Sequence, residues 1–390
     1  MNRRRYLIEN LRKYSGLAEL HPSSFFAECR AEIESLLRNP EVCAFPAALP
    51  HLSSFLRIVQ WNIEKGKGYP TILENLRSDE ILKWADIILL NEADYGMNRS
   101  GNRHVAQCLS EALQMNLAFG PAHLELTKGA GDELELEGEN CESLQGNAIL
   151  SRYPILEARV VPLPVSFEPF EFHEKRYGRR SCLWARLQTG SRTLCVGSTH
   201  LEVRNAPRCR ALQMDYLLQS LPGGDEAASV LGGDLNTNGF PRGTRWRTLA
   251  SLCRLTTRSS STMKERFLHP EQGSEPLFRV VKKHGFFWEG LNSEEDTACA
   301  PLGELEDAAL LPRFLVRMMQ NRLEPYGGEL CFKLDWLLGR GVQALRAGEL
   351  RDRQTGVTSR NPGCVPLVRS GCARPSDHRP IYADIRLPNL

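Results

Sequence analysis

A chain of 390 residues, 42% of them hydrophobic, suffices for one large α/β domain with an appendage, or for two domains. Its formal net charge of +2 excludes a global attraction to polyanions, so any hold on phosphate must be local. No run approaches the ~18 apolar residues of a membrane span. Glu9, Asn10, Arg12 and Lys13 break the segment after the basic start, which argues against a secretory leader. The 12 cysteines lie scattered, with no CxxC pair and no zinc spacing, so free thiols in a reducing cytoplasm are expected.

Tyr6, Leu7 and Leu11, then Phe25, Phe26, Cys29 and Ile33, recur at helical spacing, and Pro40, Pro46 and Pro50 end the pattern. Residues 1–50 are therefore expected to form a helical extension packed on a main domain of residues 51–390. Residues 55–61 read as a strand feeding Asn62, and 71–84 as a helix. Residues 86–90 form a nearly continuous apolar run, as expected of a strand covered on both faces, and it ends at Asn91-Glu92. A helix over 103–115 follows, then an acidic, glycine-rich stretch over 129–143 that reads as a mobile loop. Strands are predicted at 147–150, 183–187, 193–198, 229–231, 334–338 and 381–385, with a helix over 207–221. Residues 255–329 carry no site motif and read as an insertion, with helix around 310–320. Many neighbouring strands lack an intervening helix, which favours two packed sheets flanked by helices over a doubly wound parallel sheet.

Short polar motifs stand at the strand ends. Hydrolysis of a phosphodiester needs a cation on the phosphate, an activated water and a stabilised leaving oxygen. Glu92 ends an apolar strand, where a carboxylate is costly unless paired or metal-bound, and the Asn62 amide oxygen can share that metal. In Gly233-Asp234-Leu235-Asn236 the two polar side chains of an extended backbone fall on one side. Asp234 can take a proton or hold the metal, Asn236 can donate to phosphate, and the glycines permit close approach of a ligand. His200 and His378 can pass protons near neutral pH, and Asp335 can orient a histidine. Asn147 stands where it can reach phosphate.

Taken together and in this order, these motifs resemble the endonuclease/exonuclease/phosphatase superfamily, which includes deoxyribonuclease I, exonuclease III, neutral sphingomyelinases, inositol-polyphosphate 5-phosphatases and deadenylases. Leu334-Asp335-Trp336 and Ser376-Asp377-His378-Arg379-Pro380 are the most specific elements. The resemblance spans about residues 55–387 and implies a four-layer α/β/β/α sandwich with the site at one end of both sheets. It implies that Asn62 and Glu92 bind Mg²⁺ or Mn²⁺, with Asp377 beside the metal. Asp234 and Asn236 would position or activate the water and hold the phosphate, His200 would contact the phosphate or protonate the leaving group, and Asp335 would orient His378. Asp234 and His378 both remain open as the group that takes the proton.

Asn91 stands where many members have glutamine. Ser198-Thr199-His200 resembles the deoxyribonuclease I and sphingomyelinase branch, and Leu334-Asp335-Trp336 lacks the cysteine of the inositol-phosphatase signature. Arg176, Arg179 and Arg180 suit phosphate, with Arg179 and Arg180 expected to hold it. No aromatic-and-basic array for stacking single strands is evident. A nucleic acid or nucleotide is the expected partner, a phospholipid or a small-molecule phosphate ester the alternative substrate, and a catalytically silent phosphate-binding module the alternative of another class.

Overall fold

The computed structural model describes residues 3–221, 228–241, 250–251, 260–301, 314, 317–318, 320–321, 329–367 and 374–388. Its helices are α1 (Arg3–Leu11), α2 (Leu17–Leu20), α3 (Ser24–Arg38), α4 (Tyr69–Ser78), α5 (Val105–Leu113), α6 (Pro207–Ser220), α7 (Ser260–Leu268) and α8 (Leu277–Lys283). The strands are β1 (Glu41–Cys43), β2 (Leu56–Asn62), β3 (Ile87–Tyr95), β4 (Asn116–Glu125), β5 (Leu144–Ser151), β6 (Ile155–Pro162), β7 (Arg176–Gly178) and β8 (Ser181–Thr189). They continue with β9 (Arg192–His200), β10 (Ser229–Asp234), β11 (Ala298–Pro301), β12 (Glu329–Phe332), β13 (Asp335–Arg340), β14 (Gln343–Ala344), β15 (Gly363–Cys364) and β16 (Ile381–Arg386).

One sheet runs β1-β4-β5-β3-β2-β16-β14, with β7 on β4 and β15 on β16; the second runs β13-β10-β9-β8-β6. Every residue of β2 is buried, because the two faces of the strand meet different layers. Leu56 and Ile58 face the second sheet, packing in one core with Leu183, Val196, Val230 and Leu337. Val59 and Trp61 face outward to Ile72 and Leu76 of α4 and Val105 and Leu109 of α5. On the far side, Met214 and Leu217 of α6 and Leu277, Phe278 and Val281 of α8 cover Leu231, Trp336 and Leu338. The predicted four-layer α/β/β/α sandwich is thus the observed architecture.

This topology brings the strand-end motifs to one place. β2 and β3 are parallel, as are β9 and β10, so their carboxyl ends lie at the same edge. β13 and β16 are antiparallel to their neighbours and therefore begin at that edge. In register, Asp234 lies opposite His200 on one side and Asp335 on the other, and Asn62 lies opposite Asn91.

Several details differ from the sequence reading. β4 and β6 were not anticipated, because Gly120-Pro121 and Pro162 read as breakers; Pro121 sits at a register shift that spares its missing N–H. β1, within the supposed extension, pairs with β4 at the edge of the first sheet, while α1–α3 pack on Leu124, Leu126, Leu144 and Phe170. Part of the stretch read as an insertion is structural core, since α8 packs against α6. The helix predicted around 310–320 lies largely outside the described residues. Among the described residues eight cysteines are free thiols, but Cys299 and Cys331, directly opposite on β11 and β12, form a disulfide. The expectation of free thiols fails for that pair because strand register, invisible in their separation of 32 residues, makes them neighbours.

Candidate active site

Asp234 is the centre of the arrangement. Its Oδ2 accepts from Asn62 Nδ2 at 3.2 Å, lies 3.2 Å from His200 Nε2 and faces His378 Nε2 at 3.9 Å. Its Oδ1 accepts the Asn236 backbone N–H at 2.9 Å. Burial alone would push this carboxyl up, but the two histidines and the hydrogen bonds hold it well below the usual range.

Asp335, fully buried, accepts from His378 Nδ1 at 2.7 Å and from Gln60 Nε2 at 3.1 Å. Its own backbone N–H donates to Thr297 Oγ1 at 3.1 Å. Burial opposes a charge on His378, but Asp335, Asp377 and Asp234 outweigh it and keep the imidazole protonated well above its ordinary range. Ser376 fixes the loop before His378: its hydroxyl donates to Asn62 O at 2.7 Å and accepts the His378 N–H at 3.1 Å.

Arg180 Nη1 lies 2.7 Å from His200 Nδ1. A guanidinium can only donate, so Nδ1 is the acceptor and the proton sits on Nε2, directed at Asp234. In this arrangement both ring nitrogens of His200 are engaged.

Glu92 adopts a left-handed backbone (φ 55°) at an irregularity between Leu90 and Ala93. It lines the same cleft as Glu64, Lys65, Arg179, Arg180 and Asp377, a cavity of about 440 Å³. Burial pulls the Glu92 carboxyl upward, but His200, Lys65, Arg180 and Arg176 together leave it below its ordinary value. Asp377 stands at the mouth of the cleft with surface still open to solvent, and partial desolvation by the cleft walls, with the like charges of Glu64 and Glu92, raises its carboxyl to about 6 against the pull of His378. Carboxylates lining one cleft in this way are the hard oxygen donors that suit a divalent cation.

Sequence reasoning missed the polar hub beneath these groups. Asn91 Oδ1 accepts from the Asp234 backbone N–H at 2.8 Å and from Gln60 at 3.1 Å. Its Nδ2 donates to Asn147 at 2.9 Å and to Ser198 at 3.2 Å. Asn147 in turn donates to Ser181 O at 2.9 Å, so its amide is engaged at both ends within the floor of the site. Asn236, also left-handed (φ 51°), donates from its side chain to Leu201 O at 2.9 Å. Arg179 is exposed at the cleft rim. A polar residue in an otherwise apolar strand, such as Gln60 or Asn91, was the signal available.

Three readings change. The glycines before Asp234 serve strand packing, not ligand approach: a Cβ on Gly233 would stand 1.7 Å from Thr199 O, and one on Gly232 2.7 Å from a Leu89 methyl. The loop 129–143 is tied to the cleft rim through Glu133, which accepts from Lys65 at 3.1 Å and from Arg99 at 3.2 Å. An aromatic-and-basic wall does exist, assembled from separate segments. Phe167 and Phe172 meet edge to face at 5.3 Å, and Arg204 lies 4.1 Å over the Phe172 ring. All three line the cleft.

A family model described as "Endonuclease/Exonuclease/phosphatase family" matches residues 59–378. Among solved structures, an endonuclease/exonuclease/phosphatase from Beutenbergia cavernae is 16% identical, with 86% of this chain and 72% of that chain covered and a TM-score of 0.49. A humanized D. rerio TDP2 is 16% identical over 86% of this chain and 100% of its own, with a TM-score of 0.46. The human Nocturnin catalytic domain is 16% identical over 90% and 96%, with a TM-score of 0.44. No curated protein matches the chain.

Proposed function

Because this chain belongs to the endonuclease/exonuclease/phosphatase family, we propose that it is a divalent-metal-dependent phosphodiesterase acting on nucleic acid or nucleotides. Members of that family hydrolyse phosphoester bonds and generally use divalent ions. The observation that carries the reading is the meeting at Asp234 of His200, Asn62 and the Asp335–His378 pair, from five separate chain segments.

Glu92, Asp377 and the Asn62 amide oxygen would hold Mg²⁺ or Mn²⁺. All are hard oxygen donors, and the crowding of Asp377 by Glu64 and Glu92 is the kind a cation relieves. The ion would neutralise phosphate charge and make water more acidic. The chain's own groups do the rest. Asp234 Oδ2 and His378 Nε2, 3.9 Å apart, are spaced so that one water can hydrogen-bond both. Asp234, the unprotonated member, takes up the proton as the water attacks, with His378 held charged beside it by Asp335. Arg180 and Arg179 hold phosphate oxygens, and His200, steered by Arg180, stands beside the phosphate near the leaving side. Asn236 contributes its contact from the turn after Asp234, while Asn147 acts one step back, through Asn91.

The wall of Phe167, Phe172 and Arg204 favours a substrate with planar bases, since such rings are stacking partners. No helix among the described residues is long and apolar enough to cross a membrane. A cytoplasmic setting is part of the same proposal; the eight free cysteines among the described residues support it and the Cys299–Cys331 disulfide weighs against it.

The first test is turnover of bis-p-nitrophenyl phosphate with Mg²⁺ or Mn²⁺. Activity that disappears in chelator and in Glu92→Ala is expected; a protein inactive under every metal condition is a binding module. Supercoiled DNA, RNA and sphingomyelin compared in one buffer then separate nuclease from lipase. Cleavage of sphingomyelin alone would overturn the nucleic-acid assignment.

A further inference from the structure

His123 has no place in the chemistry above, yet it lines the same cleft beside Glu92, Glu174, Arg176 and Arg180. It sits on β4 just past the register shift at Pro121, opposite Gly178 of β7. The side chain is almost wholly buried, at 4% exposure, and its Nδ1 finds no hydrogen-bond partner among the described residues. Buried polar atoms are nearly always satisfied, so an orphan on a residue of the cleft wall calls for an explanation, such as a catalytic role or a bound ion. Burial, with Arg176, Arg180 and His200 nearby, pushes this imidazole well below its ordinary range, so the ring is neutral and carries one N–H and one acceptor nitrogen.

The surrounding charge selects the ligand. Arg176 is paired with Glu125 at 3.1 Å and with Glu174, so Arg180 is the cation that makes this part of the wall favourable to an anion, and it already links the wall to His200 and so to Asp234. We propose that His123 is a substrate-contacting residue, presenting its imidazole N–H to a phosphoryl oxygen of the bound phosphodiester beside Arg180. The inference rests on the reading of this cleft as a phosphoester site. It assigns the protein a neutral hydrogen-bond donor among cationic ones, a group that recognises phosphate without adding charge.

A substrate contact and a structural role move stability in opposite directions. Replacing His123 by leucine removes an unsatisfied buried group, so the free protein should melt at the same temperature or higher. The KM for bis-p-nitrophenyl phosphate and the inhibition constant of inorganic phosphate should both rise ~10-fold, with kcat within ~3-fold, as fits loss of one hydrogen bond to a charged group. His123→Gln, which keeps a donor, should stay within ~3-fold of wild type for both constants. Unchanged constants in His123→Leu, or a lowered melting temperature with no rescue by glutamine, would overturn the proposal. If wild type cleaves no diester, the proposed function fails by itself, and ring-nitrogen NMR still decides His123. A shift of its signals on adding inorganic phosphate upholds the contact; their constancy dismisses it.

Discussion

Asp335→Asn is the substitution that probes the dyad most directly. The carboxylate sits at the start of β13, fully buried, with one oxygen on His378 and the other on Gln60. An asparagine fits the same space, but only one end of its amide accepts. If its oxygen stays on Gln60, its NH₂ faces His378 Nδ1, which must then accept. The ring is then neutral with its one N–H on Nε2, and the positive charge that Asp335 keeps facing Asp234 is lost. Acid–base assistance of this kind is worth ~10²- to 10⁴-fold in rate. At 1.36 kcal/mol per decade that is ~2.7–5.4 kcal/mol of barrier. Turnover of a generic diester at saturating Mn²⁺ should therefore fall by at least ~10²-fold. Metal affinity, followed by calorimetry, should stay nearly unchanged, because Asp335 is turned toward His378 and Gln60. Abolished metal binding would make Asp335 a ligand, and an unchanged kcat would remove the dyad from the reaction.

Asp352 accepts from Ser53 N at 2.6 Å, Ser53 Oγ at 2.7 Å and Thr355 N at 2.9 Å, so Asp352→Ala should cost ~3 kcal/mol in denaturant unfolding by leaving several donors unmet. Burial opposes its charge, but these bonds depress its pKa, so its stabilisation is full above the ordinary carboxylate range and lost as pH falls through the folded value. The wild-type advantage should narrow below pH ~4, and an advantage that grows on acidification would refute this sign. The Cys299–Cys331 disulfide closes a loop of separation 32, so reduction, verified by intact mass, should cost up to ~3–4 kcal/mol in thermal melts; superimposable melts would show that the hairpin holds without it. Gly233→Ala drives a Cβ into Thr199 O and should lose ~3 kcal/mol or more, read as soluble yield and melting temperature; a variant as stable as wild type would contradict the packing described.

The sandwich was legible because buried strands announce themselves. Ile87 to Leu90 and Leu56 to Trp61 are unbroken by turn residues, and the helices between them keep their period. Asn62, Glu92, His200 and Asp234 were legible as polar groups following an apolar run, and Asp335 and His378 as polar groups just before one. Hidden from the sequence was everything set by register. Asn91 and Gln60 read as incidental until the sheets face each other and both bind Asp234 or Asp335. Thr297, in a stretch without a motif, holds the Leu334 and Asp335 N–H groups through Oγ1 and the Arg379 N–H through its carbonyl. His123 lay behind Gly120-Pro121, which disguised its strand. The wall of Phe167, Phe172 and Arg204 needed two loops to meet.

Backbone irregularity explains why Glu92 is available at all. Leu89 packs toward the second sheet and Leu90 toward the helices, so Asn91 returns to the inter-sheet side, where it binds the Asp234 N–H. Strict alternation would send Glu92 into the helix-facing core, where an ionised carboxylate is untenable. Instead the register shifts between Leu90 and Ala93, and Ala93 takes the helix-facing place. Glu92, with φ at 55°, turns into the cleft. A left-handed non-glycine residue costs ~1–2 kcal/mol, and Asn236, after Asp234, has the same conformation. Two strained residues, one beside each sheet's contribution to the cleft, fit a scaffold that gives up local stability to aim side chains at a common point. Substituting glycine at Glu92 would relieve the strain and delete the carboxylate together. A gain in stability coupled to loss of metal binding is the outcome this geometry requires.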